Sequence, residues 1–221
     1  MTVFRVKKIL FDLDGTLVNT AADLHAATNH VLTSVGRPKV TLCQVQNMTG
    51  YGAVRLIETG LEATGGLQGL DIENLRQKFL DFYAQNICVH SNPYPNCIEM
   101  LQHLAAKNFR MAICTNKPVI MANALLRSLD LDTYFSAVIG GDSLPFKKPD
   151  GRHLLETSAL LQGKGSSIMI GDSAPDVLGA KSAKLPIIAV DFGYSTKPIA
   201  ELNPDYVISS LAEIPSLLAY G

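Results

Sequence analysis

Apolar and polar positions along the chain follow two different patterns. From Asn19 to about Val35, Leu24, Ala27, Val31 and Leu32 recur at helical spacing, and Gly36-Arg37-Pro38 ends the run. A short helix is predicted from Leu42 to Met48, starting after Thr41, and a third from about Ala53 to Ala63 before Thr64-Gly65-Gly66. A fourth runs from Asp71 to about Ile87, with Leu75, Phe79, Phe82 and Tyr83 as its apolar stripe. No strand candidate interrupts this part. Past Ser91-Asn92-Pro93-Tyr94-Pro95, read as a stiff linker, short continuous apolar runs alternate with helical ones. Strands are expected at Phe109 to Cys114, Ala137 to Ile139, Ser167 to Ile170, Pro186 to Val190 and Tyr206 to Ile208. Helices are expected at Ile98 to Lys107, Pro118 to Leu129, His153 to Leu161 and Pro175 to Ala183. Continuous apolar strands alternating with helices imply an α/β fold with a parallel sheet covered on both faces. One more strand, Ile9-Leu10-Phe11, precedes the helical part, so residues 18–90 read as an all-helical insertion into a core made of residues 1–17 and 91–221.

In open parallel sheets ligands sit beyond the C-terminal strand ends, so the residues just past each strand carry the chemistry. The first strand ends in Asp12-Leu13-Asp14-Gly15, and at period two both carboxylates point the same way. Their mutual repulsion calls for a metal or a proton. The strand ending at Cys114 leads into Thr115-Asn116-Lys117-Pro118, a hydroxyl and an amide ahead of a helix N-terminus suited to phosphate. Lys147-Lys148-Pro149 brings cations, and Gly171-Asp172-Ser173-Ala174-Pro175-Asp176 brings two further carboxylates. Aspartates, a lysine, a threonine and a helix N-terminus on one rim suit a divalent cation and a phosphoryl group. One aspartate is placed to attack phosphorus and a second to move the proton.

Composition narrows the field. With 19 Lys and Arg against 20 Asp and Glu, the formal charge is -1, which argues against binding nucleic acid through bulk electrostatics. No stretch is long enough to span a bilayer, and the apolar run after Arg5, Lys7 and Lys8 is too short for a signal peptide. Cys43, Cys88, Cys97 and Cys114 lack metal-ligand spacing and are read as free thiols of a cytoplasmic protein. Oligomeric state is not legible.

The ordered set Asp12-Leu13-Asp14-Gly15-Thr16-Leu17, Thr115-Asn116, Lys148-Pro149 and Gly171-Asp172-Ser173 with Asp176 resembles the haloacid dehalogenase superfamily. Within it the resemblance is to phosphoglycolate phosphatases, over essentially the whole chain. The resemblance implies a Rossmann-like parallel sheet core with an inserted all-helical cap domain, Mg2+ as cofactor and a small phosphorylated metabolite as substrate. By position, Asp12 is the implied nucleophile and a metal ligand, and Asp14 the acid/base with its carbonyl on the metal. Thr115 and Lys148 are the implied phosphate-binding groups, with Asn116 beside them; Asp172 is the remaining metal ligand, and Asp176 and Ser173 are supports. Gly50, Tyr51 and Gly52 fall where this branch places its specificity loop. Arg55 is weighed as a partner for a substrate carboxylate against a plain exposed helix arginine, and Lys117 and Lys147 are left between ligand and solvated neighbour. Asn19-Thr20 and Pro175 depart from the family's usual residues. A phosphosugar mutase or sugar-phosphate phosphatase, and a non-catalytic phosphate-binding protein, are the competing functions.

Overall fold

The computed structural model describes residues 3–195 and 197–221. In chain order its strands and helices are β1 (Phe4–Val6), β2 (Lys8–Phe11), β3 (Val18–Asn19), α1 (Ala21–Ser34), α2 (Leu42–Gln46), α3 (Ala53–Thr64), α4 (Ile72–Gln85) and β4 (Asn92–Pro93). They continue with α5 (Cys97–Ala106), β5 (Arg110–Cys114), α6 (Val119–Ser128), β6 (Ala137–Ile139), α7 (Gly151–Leu160), β7 (Ser167–Gly171) and α8 (Ala174–Ala183). Last come β8 (Ile187–Val190), β9 (Tyr206–Ile208), α9 (Ile214–Leu217) and β10 (Leu218–Tyr220).

Six strands form one parallel sheet in the order β6-β5-β2-β7-β8-β9. Strand alternation divides its side chains between two cores. Ile9, Phe11, Met111, Ile113, Ile168 and Ile170 pack on one face with residues of α5, α6 and α9. Leu10, Ala112, Cys114 and Met169 pack on the other with residues of α7 and α8. A third apolar cluster lies among α1 to α4 and takes in Met121 of α6. These four helices stand where the periodicity places them. Thr41 caps α2 through a box with Gln44, and Asp71 caps α4 by accepting from Asn74 N at 3.1 Å.

Two short pairings lie outside the sequence expectation. Val18 and Asn19 pair antiparallel with Asn92 and Pro93, so the stretch read as a linker is a two-strand seam where the chain leaves and re-enters the core. Asp23 fastens the seam: its carboxylate accepts from His90 N at 3.0 Å, Ser91 N at 2.9 Å and Ser91 Oγ at 2.6 Å. Phe4–Val6 pairs in parallel with Leu218–Tyr220, which is too short to show a period of two in sequence.

Beneath the sheet, His153 is buried between Gly140 O, 3.2 Å from its Nε2, and Cys114 Sγ, 3.3 Å from its Nδ1. A carbonyl only accepts, so Nε2 carries the proton and Nδ1 accepts from the thiol. Burial, with Lys148 nearby, pushes the imidazole down to about 4, and burial pushes the Cys114 thiol up to about 12. Because the folded state prefers neutral His153, its contribution is complete above the unfolded value of 6.5 and is lost as pH falls toward 4. The stability difference between wild type and His153→Gln is therefore expected to shrink by about 2–3 kcal/mol between pH 7 and pH 4.5, as measured by urea unfolding. A pH-independent difference would show that His153 is not held neutral.

Candidate active site

Strand register assembles the rim. Phe11, the last residue of β2, lies opposite Ile113 of β5 and Ile170 of β7, so Asp12, Thr115 and Asp172 emerge from three adjacent strand ends. Asp12 N donates to Ile170 O at 2.9 Å, which ties the first of these residues to the neighbouring strand. Asp12, Asp172 and Asp176 are buried, and each offers a carboxylate oxygen within 4.8 Å of the others. Lys148 Nζ lies 2.6 Å from Asp176 Oδ1 and 3.0 Å from Asp12 Oδ1. The second contact is an ion pair without hydrogen-bond alignment, which leaves Asp12 Oδ1 without a hydrogen-bond donor.

Electrostatics at this cluster is one-sided. Burial, reinforced by Asp176 and Asp14, pushes Asp12 up to about 7 against the pull of Lys148. Burial also raises Asp172 well above the usual carboxylate range, with Asp176 and Asp12 adding to it. The lysine responds in the opposite sense: burial opposes its charge, but Asp12 and Asp176 outweigh burial and hold Lys148 above its ordinary value.

The donor set fits a divalent cation. All three groups are hard carboxylate oxygens, one of them lacks a hydrogen-bond donor, and the backbone closes tightly round a second. A Cβ on Gly15, whose φ is +86°, or on Gly193 would overlap the Asp172 carboxylate. Thr16 Oγ1 and Tyr194 N, both at 2.8 Å, donate to Asp172 Oδ1 and Oδ2 and fix its orientation. Both Asp176 oxygens already have protein donors, Lys148 on Oδ1 and Ser173 N and Oγ on Oδ2. Pro175 costs nothing there, since the first turn of α8 leaves its N–H groups without helical partners.

Asp14 stands beside this cluster and outside it. Its Oδ1 accepts from Thr20 Oγ1 at 2.7 Å and from Lys117 Nζ at 2.8 Å, and among the described residues Oδ2 has no protein donor. Asp12 and Asp14 share a small cavity of about 40 Å³ with Thr115, Asn116 and Lys117 on the core side. Gly50, Gly52, Leu24, Leu56, Phe79, Leu80 and Tyr83 face them from the helical layer. Thr115 is buried and accepts from Lys117 N at 3.2 Å. Asn116 Nδ2 donates to Gly50 O at 3.0 Å and Lys148 O at 2.9 Å, while its Oδ1 is buried without a partner.

One expectation needs correction. Tyr51 does not face the cavity; its side chain is 46% exposed. Gly50 and Gly52 take φ of +103° and +95°, a turn that offers backbone to the site, and Lys147 Nζ holds the Tyr51 carbonyl at 3.0 Å. Of the two readings of Arg55 the structure agrees with the plain one: it is a half-exposed helix arginine within 4 Å of Glu58 and Glu62, and it does not line the cavity.

Periodicity and motif spacing give no site role to Thr16, Thr20, Tyr83 or Tyr194, although Thr16 lies in the first motif and Tyr83 in the apolar stripe of the fourth helix. Tyr194 OH accepts from Thr20 N at 2.7 Å and Ala21 N at 3.0 Å and donates to Asn19 Oδ1 at 2.8 Å. A phenol thus caps the start of α1, which lacks a side-chain cap of its own and leaves the Thr20 hydroxyl for Asp14. Asn19 and Thr20, the unusual continuation of the first motif, are thereby given their partners.

A family model described as haloacid dehalogenase-like hydrolase matches residues 9–190. The chain belongs to this hydrolase family. This hydrolase is 42% identical over 211 residues to the phosphoglycolate phosphatase of Caulobacter vibrioides, covering 94% of this chain and 88% of that one. It is 42% identical over 212 residues to the phosphoglycolate phosphatase of Agrobacterium fabrum, covering 95% and 91%. A crystal structure described as a predicted phosphoglycolate phosphatase from Haemophilus somnus 129PT superposes with a TM-score of 0.88 at 31% identity, covering 95% of this chain and 96% of that one. Among the described residues no helix is long and apolar enough to cross a membrane.

Replacing Tyr194 by Phe strips the acceptor from two backbone N–H groups at the start of α1. Tyr194→Phe is expected to lower unfolding free energy by about 1–3 kcal/mol, read as a fall in the urea midpoint at unchanged slope. An unmoved midpoint would show that the hydroxyl carries no structural load.

Proposed function

We propose that this hydrolase is a Mg2+-dependent phosphatase of small phosphate monoesters, with 2-phosphoglycolate as its first candidate substrate. The cavity carries the reading. It sets Asp12 and Asp14 side by side under a wall of Leu24, Leu56, Phe79, Leu80 and Met121. A hexose phosphate would bury several hydroxyls against that wall at about 1–3 kcal/mol for each left without a partner. A two-carbon leaving group with no free hydroxyl avoids this cost. The names of the Caulobacter and Agrobacterium relatives support the same ester.

In this reading Asp12 and Asp172, with the main-chain carbonyl of Asp14, would hold the metal, and Asp176 and Ser173 keep Lys148 and the Asp172 loop in place. Bound Mg2+ would neutralise charge on the phosphoryl group and on the raised carboxylates. Thr115 and the amide at Asn116 orient the phosphoryl oxygens, and Lys148, which does not line the cavity, acts through its ion pair with Asp12. An Asp12 oxygen attacks phosphorus; the bond from phosphorus to the ester oxygen breaks, and Asp14 delivers its proton to the departing oxygen. Asp14, now a carboxylate, takes a proton from the water that attacks the aspartyl-phosphate. The bond from Asp12 to phosphorus breaks, inorganic phosphate leaves, and both aspartates are restored. Asp14 Oδ2 is the atom suited to carry this proton, since both protein donors occupy Oδ1. A cavity of about 40 Å³ holds only a few waters, so ester entry requires α1–α4 to draw back from the strand ends.

A phosphate-release assay across 2-phosphoglycolate, hexose phosphates and simple alkyl phosphates tests the reading. Wild type with Mg2+ is expected to accumulate inorganic phosphate fastest from 2-phosphoglycolate. Asp12→Asn is expected to fall to background with an unchanged melting curve, and EDTA to abolish turnover until Mg2+ is restored. Residual turnover in Asp12→Asn would remove the nucleophile assignment, and activity indifferent to EDTA would remove the metal.

A further inference from the structure

Lys117 belongs to none of the assigned roles, yet it is buried in the wall of the cavity. Its ammonium donates to Asp14 Oδ1 at 2.8 Å and to Tyr83 OH, on α4, at 2.7 Å. An ammonium has three N–H groups, and among the described residues the third has no partner; the lysine lines the cavity together with Asp12, Asp14 and the apolar wall. Burial opposes its charge, but Asp14 and Tyr83 more than offset burial and hold Lys117 above the ordinary lysine range, so it stays a cation. Among the described residues it is the only basic side chain lining the cavity. Arg55, the other cation weighed as a partner for a substrate carboxylate, is held at the surface by Glu58 and Glu62.

We propose that Lys117 selects the substrate: its remaining N–H donates to a carboxylate borne directly by the phosphoester carbon, and Tyr83 holds the ammonium in position. The proposal rests on the reading of the site as a phosphatase and deepens it. The selecting charge then comes from the core loop that also bears Thr115 and Asn116, while the helical layer supplies shape and one hydroxyl. Esters with a neutral leaving group lose this contact and face an unsatisfied ammonium donor. Asp14 next to it disfavours a second anion further along the chain, which confines the accepted class to short phosphorylated acids.

The test compares 2-phosphoglycolate with ethyl phosphate, in which a methyl replaces the carboxylate, for wild type, Lys117→Met and Lys117→Arg with Mg2+ present. Wild type is expected to prefer 2-phosphoglycolate in kcat/KM. Lys117→Met is expected to reduce that preference roughly 10- to 100-fold, mainly through KM, and Lys117→Arg to restore part of it. If Lys117→Met slows both esters by the same factor, Lys117 serves only Asp14 and the inference is overturned while the phosphatase reading stands. If wild type releases phosphate from neither ester, the substrate reading itself fails, and the inference with it. Should Lys117→Met not fold by circular dichroism, inhibition of wild type by phosphonoacetate against ethylphosphonate gives the same comparison, and equal inhibition overturns the proposal.

Discussion

Negative charge crowded at the ends of two neighbouring strands, β2 and β7, is the constraint on which this structure turns. Asp12, Asp14, Asp172 and Asp176 are each at most 9% exposed, and among the described residues Lys148 and Lys117 are the only ammonium groups paired with them. Removing a carboxylate from water costs several kcal/mol unless its charge is met, and two lysines leave the cluster short. The raised values of Asp12 and Asp172 express that shortage. A divalent cation matches the missing charge. Much of the surrounding structure serves this cluster: Thr16 and Tyr194 N orient Asp172, Ser173 braces Asp176, and glycines stand where a side chain would collide with a carboxylate.

The division of the two lysines separates two kinds of aspartate. Lys148 sits among the carboxylates that converge on one point and touches two of them. Lys117 and Thr20 instead draw Asp14 toward the helical layer. Two residues apart on one strand end, Asp12 and Asp14 therefore meet different partners. In the proposed mechanism that difference separates the carboxylate that attacks from the one that moves the proton.

Much of this is legible in the chain because it depends on short-range rules. Ile9-Leu10-Phe11 and Ile168-Met169-Ile170 read as buried strands by composition, and residues just past the ends of parallel strands share one rim, so order alone groups Asp12, Thr115 and Asp172. Contacts that bridge distant segments leave no such trace. Tyr194 lies 22 residues past Asp172, and its hydroxyl caps a helix near the other end of the chain. Lys117 reads as one of several basic residues, because its meaning depends on Tyr83 from a separate helix. Tyr51 misleads for the opposite reason: its loop does lie beside the site, but two glycines of positive φ turn the backbone inward and the ring out.

Contacts between the helical layer and the core fall into two groups with different fates. At the point where the chain crosses over, Asp23 holds His90 and Ser91, and Tyr194 holds Thr20 and Ala21, through bonds close to the crossing strands β3 and β4. At the mouth of the cavity, Asn116 holds Gly50, Lys147 holds Tyr51 and Lys117 holds Tyr83. A rotation about the crossover, the opening proposed above for ester entry, would leave the first group intact and break the second. Two of the three mouth contacts start from consecutive residues of the loop after β5, and the third from the residue before Lys148. The loops proposed to hold the phosphoryl group therefore also latch the helices over it, and if Lys117 receives the substrate carboxylate as proposed, tight binding would require Tyr83 back in place to hold that lysine.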